Sequence, residues 1–124
     1  MRRAIVGVAL VAVLAACGGG GGDSSGSKNA PVKAGARKIT VDARNYEFDP
    51  STIDVAAGED VEIALHSEDQ RHDLTLEGKG LVVDVAGGKT ASGGLRVAKP
   101  GSYTFYCAIP GHRAAGMVGT LEVT

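Results

Sequence analysis

The chain has 124 residues, with 13 Lys and Arg against 14 Asp and Glu, for a formal net charge of −1. That length leaves room for one domain of ordinary size, and the near-balanced charge argues against a nucleic-acid partner or a charged disordered tail. Glycine is abundant at 19 residues, and short apolar runs are broken by turn residues without any helix-period stretch, which points to an all-β chain.

Residues 1–16 read as a signal peptide. Arg2 and Arg3 charge its start, and Ala4 to Val13 form an apolar run too short to span a bilayer. Leu14-Ala15-Ala16-Cys17 resembles the lipobox of bacterial lipoproteins. That resemblance implies that Cys17 becomes the mature, lipid-bearing N-terminus and attaches the domain to the membrane on its extracytoplasmic side. The alternative is an ordinary signal peptide with an incidental Cys near its cleavage site. If Cys17 is acylated, Cys107, the other of the two cysteines, has no disulfide partner. Residues 17–36 then form a Gly/Ser-rich tether, and residues 37–124 the domain.

From Lys38 onward apolar residues alternate with polar ones, as in half-buried strands. Ile39 and Val41 share one face, and Tyr46 and Phe48 continue an apolar side until Asp49-Pro50 breaks it. Ile53 and Val55 follow, then an Ala57-Gly58-Glu59 turn, then Val61, Ile63 and Leu65 against Glu62, Ala64 and His66. Ser67 to Arg71 is a polar loop. Leu74 and Leu76, then Leu81, Val83 and Val85, mark two more strands before Gly87-Gly88. Leu95 and Val97 lead to Pro100-Gly101, Tyr103 and Phe105 follow, and Leu121 and Val123 close the chain. Many short strands at close spacing predict a Greek-key, two-sheet β-sandwich.

Side chains two apart on a strand share a face. His72 has the parity of Leu74 and Leu76, Cys107 that of Tyr103 and Phe105, and Met117 that of Leu121 and Val123, so all three should face the core. A buried Cys or Met is an ordinary core residue. A core-facing His needs partners for its ring nitrogens. The loop Cys107-Ala108-Ile109-Pro110-Gly111-His112-Arg113-Ala114-Ala115-Gly116-Met117 adds a second imidazole between the thiol and the thioether. Soft sulfur with imidazole suits copper in both oxidation states. Pro110, Gly111 and Gly116 allow the loop to double back on itself.

Cys-x4-His-x4-Met, preceded by Pro-Gly-x-Tyr-x-Phe-Tyr and followed by Gly-x-Leu-x-Val, resembles the C-terminal half of the cupredoxins, most nearly the plastocyanin and auracyanin type. Upstream, Phe48-x-Pro50, Ile53-x-Val55, Ala57-Gly58, Val61 and His72-Asp73-Leu74 resemble the segment that carries the first ligand. The resemblance implies one type 1 (blue) copper ion, with His72 and His112 as nitrogen ligands, Cys107 as thiolate and Met117 as axial ligand. Asp73 stands where the family often has Asn, and should buttress the ligand loop by hydrogen bonds. His66-Ser67 stands where the family often has Asn near the end of the preceding strand; the parity of His66 places it on the surface. In the family the second His reaches the surface. Ile109, Pro110, Arg113, Ala114 and Ala115 are thus expected to form a docking patch for redox protein partners around an exposed edge of His112.

The function expected on these grounds is a membrane-anchored, monomeric one-electron carrier, not an enzyme. A copper chaperone or storage protein is the alternative, although exposed Met/His clusters or paired Cys are missing. Copper nitrite reductases and oxidases resemble tandem domains with further His ligands, and a binuclear site needs two Cys on the ligand loop, where Cys107 stands alone.

Overall fold

The computed structural model describes residues 28–124. The signal segment, Cys17 and the tether as far as residue 27 lie outside the described residues. The described residues form nine strands: β1 (Arg37–Arg44), β2 (Glu47–Asp49), β3 (Thr52–Val55), β4 (Val61–Ser67), β5 (His72–Leu76), β6 (Gly80–Val85), β7 (Thr90–Leu95), β8 (Gly101–Tyr106) and β9 (Val118–Val123). They build a two-sheet β-sandwich. One sheet has the order β2-β1-β4-β7 and the other β3-β9-β8-β5-β6. β1 runs parallel to β4 and β3 parallel to β9, while the remaining neighbours are antiparallel. Among the described residues no helix is long and apolar enough to cross a membrane.

The alternation read from the sequence becomes the core. Val41, Ile63 and Leu65 from the first sheet meet Leu74, Val83, Phe105 and Leu121 from the second, all buried. The two sheets are also joined by the rings of Phe48 and Phe105, edge to face with centroids 5.1 Å apart. Phe105 lies over Gly119, where an added Cβ would sit 2.1 Å from its Cζ. A glycine in mid-strand is thus required here for close packing.

β7 departs from the expectation. The apolar pair Leu95 and Val97 suggested a strand there, but the strand is Thr90–Leu95 and ends where that pair begins. Its sequence, Thr-Ala-Ser-Gly-Gly-Leu, carries little hydrophobic signal. The physical reason is crowding: a Cβ on Gly93 would lie 2.0 Å from the Val82 carbonyl oxygen, and one on Gly94 2.0 Å from that of Pro31. The closest neighbours of both glycines are backbone atoms.

Pro31 is there because the chain joins the sandwich before residue 37. Ala30 N–H donates to Val82 O at 2.9 Å, and Gly94 N–H donates to Ala30 O at 2.9 Å. Asn29 Oδ1 accepts from Asp84 N–H at 2.8 Å, and its Nδ2 donates to Asp84 O and Ser92 O. β6 and β7 are edge strands of different sheets. Residues 29–31, assigned to the tether by the sequence, therefore span the seam between the sheets and cover both edges.

Candidate metal centre

Strand pairing brings the four candidate ligands to one end of the sandwich. β5 begins at His72, β8 ends one residue before Cys107, and β9 begins one residue after Met117. Tyr106 pairs with Val118 and also with Thr75 of β5, so these three ends are adjacent. The loop between Cys107 and Met117 is closed by backbone bonds. Cys107 N–H donates to Met117 O at 3.2 Å, and Met117 N–H donates to His112 O at 3.1 Å. Gly111 at φ +85° and Gly116 at φ +107° make the reversals that other residues rarely adopt.

The result is a tight, buried cluster. The donor atoms of His72, Cys107 and His112 lie within 4.8 Å of one another. His72 Nδ1 is 3.3 Å from His112 Nδ1, and Cys107 Sγ is 3.5 Å from His112 Nδ1. His72, Cys107 and Met117 are fully buried, and His112 is 7% exposed. The outer nitrogen of each ring has its own partner. His72 Nε2 lies 2.6 Å from Asp69 Oδ1, and a carboxylate there can only accept, so Nε2 carries the proton and Nδ1 presents its lone pair to the cluster. His112 Nε2 lies 3.0 Å from Gln70 Nε2, whose amide also bonds Asn45 Oδ1 at 2.7 Å.

Asp73 sits behind Cys107. Its Oδ1 accepts the Ala108 N–H at 2.8 Å and the Thr75 hydroxyl at 3.0 Å, while its own N–H points at Cys107 Sγ at 3.4 Å. Burial pushes the Cys107 thiol above its usual range, and the nearby carboxylates of Asp73 and Asp84 add to this, against the pull of the N–H groups of Asp73 and Ile109. Ionising such a thiol calls for a cation beside it. Burial also disfavours the Asp69 carboxylate, but the N–H groups of Asn45 and Gln70 and the His72 ring outweigh it and hold its pKa below the usual value.

Around this cluster Pro110, Arg113, Ala114 and Ala115 are exposed and Ile109 is half-buried. The expectation of an exposed His112 edge does not hold. Gln70 covers its outer nitrogen, and the Tyr46 ring stands edge-on to it at 5.2 Å, itself 45% exposed. Arg113 is engaged sideways: its guanidinium lies 4.0 Å from the centre of the Tyr106 ring and 3.4 Å from Glu77. His66 stays apart from the cluster, bonded through Nδ1 to Thr90 Oγ1 at 2.9 Å. Asp69, Gln70 and Asn45 went unnoticed in the sequence, and Tyr46, read there as continuing the apolar side of Phe48, is instead exposed beside His112. Only the polar run Ser67 to Arg71, directly before His72, could have drawn attention to two of them.

A thiol, two imidazoles and a buried thioether at this spacing are a donor set that copper accepts in either oxidation state. Known proteins agree. The model of the cupredoxin-like domain family matches residues 7–119. Plastocyanin of Dryopteris crassirhizoma is 34% identical over 93 residues, covering 64% of this chain and 89% of that one. Auracyanin B superposes with a TM-score of 0.67 at 20% identity, over 79% of this chain and 96% of that one. Auracyanin A from Chloroflexus aurantiacus, described as a blue copper protein, does so with a TM-score of 0.63 at 19% identity, over 73% of this chain and all of that one. Family match, fold and donor chemistry thus converge, and the chain belongs to the cupredoxin-like family, with His72, Cys107, His112 and Met117 positioned as a type 1 copper site.

Proposed function

We propose that the protein is a monomeric one-electron carrier, anchored through a lipid on Cys17 and docking its redox partners at the His112 end. The observation that carries this reading is the buried convergence of the His72, Cys107 and His112 donor atoms within 4.8 Å, with Met117 buried beside them. When bound, copper would supply a one-electron couple. The chain's part is to hold the four donors nearly still. Three of them sit at the ends of paired strands, and the fourth on a loop closed by backbone hydrogen bonds, so little rearrangement accompanies a change of charge. Burial keeps water away from the thiolate.

The small exposed surface of Pro110, Ala114 and Ala115 suits brief encounters, which a carrier needs in order to leave its partner quickly. Arg113 stands at its margin and would bias the encounter toward an acidic partner. Anchoring fits the path of the chain. Going back from Ala30 to Asn29, it passes from Val82 toward Asp84, beside Val85, which pairs with His72. It thus heads for the metal-bearing end. Copper hand-over is the weaker alternative, because a fully buried donor set is poorly suited to ligand exchange with another protein.

Voltammetry of the copper-loaded protein tests the reading. A reversible one-electron wave, with slow copper loss to an external chelator, supports a carrier. An irreversible wave with rapid transfer of copper to the chelator supports hand-over instead.

A further inference from the structure

The β4–β5 loop reaches both imidazoles from behind, and it treats them differently. Its residue Gln70 offers a neutral amide to His112, while Asp69 offers a carboxylate to His72 at 2.6 Å. The carboxylate is itself fixed. Asp69 Oδ2 accepts the Asn45 N–H at 2.7 Å, and Oδ1 accepts the Gln70 N–H at 2.7 Å. The loop beneath it is pinned as well: Glu68 N–H donates to Ala43 O at 3.0 Å, and Ser67 N–H to Lys89 O at 2.9 Å. The Ser67 hydroxyl bonds Gln70 O. Gly87 packs so closely that a Cβ there would lie 2.6 Å from Asp69 O. A side chain held at so many points is a preorganised partner rather than a passing surface contact.

We propose that Asp69 is a positioning residue for His72 that biases the site toward the cupric state. This rests on the copper reading above. The carboxylate does two things. It keeps the His72 proton on Nε2, so that Nδ1 is always available as a lone pair. It also places negative charge behind the ring and makes the imidazole a stronger donor, as hydrogen-bonded carboxylates do for metal-bound histidines. A stronger, more negative donor favours the ion of higher charge. In the couple, in which cupric ion takes up one electron to become cuprous, Asp69 therefore lowers the reduction potential. The side chain is 35% exposed, so solvent weakens its field but leaves the direct hydrogen bond to the buried ring in place.

Asp69→Asn tests this, because it removes the charge and keeps the shape. Asparagine still offers an oxygen to His72 Nε2–H, so the variant weakens the partner rather than removing it; changing such an outer partner typically costs 10–100-fold in metal affinity. If that loss falls on the cupric state, each factor of ten raises the potential by about 59 mV. The control is Glu68→Gln, which removes the same charge one residue away, where Glu68 bonds Arg44 and touches neither ring. The expected result is a potential raised by about 59 mV or more in Asp69→Asn, one factor of ten in relative affinity, with the visible band kept, and a far smaller rise in Glu68→Gln. Equal shifts in the two variants, or loss of the band in Asp69→Asn, would overturn the proposal. A second measurement needs neither variant nor copper. Nitrogen-15 shifts of His72 in the wild-type protein should show the proton on Nε2, and a proton on Nδ1 would overturn the proposal equally. The wild-type visible band reports separately on the copper reading itself.

Discussion

Asp73 Oδ1 accepts the backbone N–H of Ala108 at 2.8 Å, and through that bond the strand that begins with His72 is fastened to the loop that begins with Cys107. The carboxylate is buried and also satisfies the Thr75 hydroxyl. Asp73→Ala should therefore leave two polar groups without their partner and cost about 1–3 kcal/mol. Asp73→Asn keeps an acceptor oxygen in place and should recover most of that loss. Urea midpoints of the metal-free variants, compared at constant slope, measure it. The Ala variant should also release copper faster, and equal stabilities for Ala and Asn would show that the Ala108 bond contributes nothing.

The contact of Gly119 with Phe105 should be felt in the core. Gly119→Ala puts a methyl group where the Phe105 ring already lies. Overpacking of this kind costs about 1–3 kcal/mol. The closest clash is with that ring and a second, at 2.7 Å, is with Ser51 O, so Phe105→Leu should absorb the first part only. In a double-mutant cycle the two changes should couple favourably, while strict additivity would place the cost in the backbone instead.

Acid should loosen the start of β1. Arg37 donates through Nε to Glu59 Oε2 at 2.8 Å and through Nη2 to Oε1 at 3.0 Å, and Ala56 N–H donates to the same carboxylate at 3.0 Å. The Arg37 hydrogen bond, with that of Ala56, lowers the Glu59 pKa from 4.5 to about 2. A carboxylate whose folded pKa is depressed contributes stability above its unfolded pKa and loses it as pH falls toward the folded one. The contribution should fade between pH 4.5 and about 2, and it should be small, since the pair is exposed to solvent. Glu59→Gln should flatten the acid limb of the stability curve in that window, its small loss being fully present at pH 7 and vanishing as pH falls to about 2.

A charge in the docking surface should slow exchange without disturbing the site. Ala114 is exposed and lies two residues beyond His112. Ala114→Glu should reduce the rate of electron self-exchange, measured by line broadening in mixtures of the oxidised and reduced protein, and leave the visible spectrum nearly unchanged. An unaltered rate would mean that encounters occur elsewhere, with the exposed ring of Tyr46 the next surface to test.

Much of the sandwich was legible because its strands bury one face. Val61, Ile63 and Leu65 alternate with polar or small residues and become β4. Parity alone pointed His72, Cys107 and Met117 inward, and all three are buried. β7 was illegible because backbone packs against Gly93 and Gly94, and a glycine pair carries no facial pattern. The same limit hid the seam at residues 29–31, where hydrogen bonds to β6 and β7 do the holding and the local composition reads as linker. Around the metal centre, Asp73 was noticed because it adjoins a ligand in sequence. Asp69 and Gln70 were missed because they act across the turn, and Tyr46 was misread because it arrives from another strand end. Only the folded chain could reveal that His112 is covered.

The visible absorption spectrum of the protein loaded with Cu(II) tests the central claim most directly. With Cys107 as a thiolate beside His72 and His112, the oxidised protein should be intensely coloured by sulfur-to-copper charge transfer. Cys107→Ser should abolish that band while the domain stays folded, since serine nearly keeps the size of the buried cysteine. A colourless wild-type copper protein, or a Cys107→Ser variant that keeps the band, would contradict the assignment.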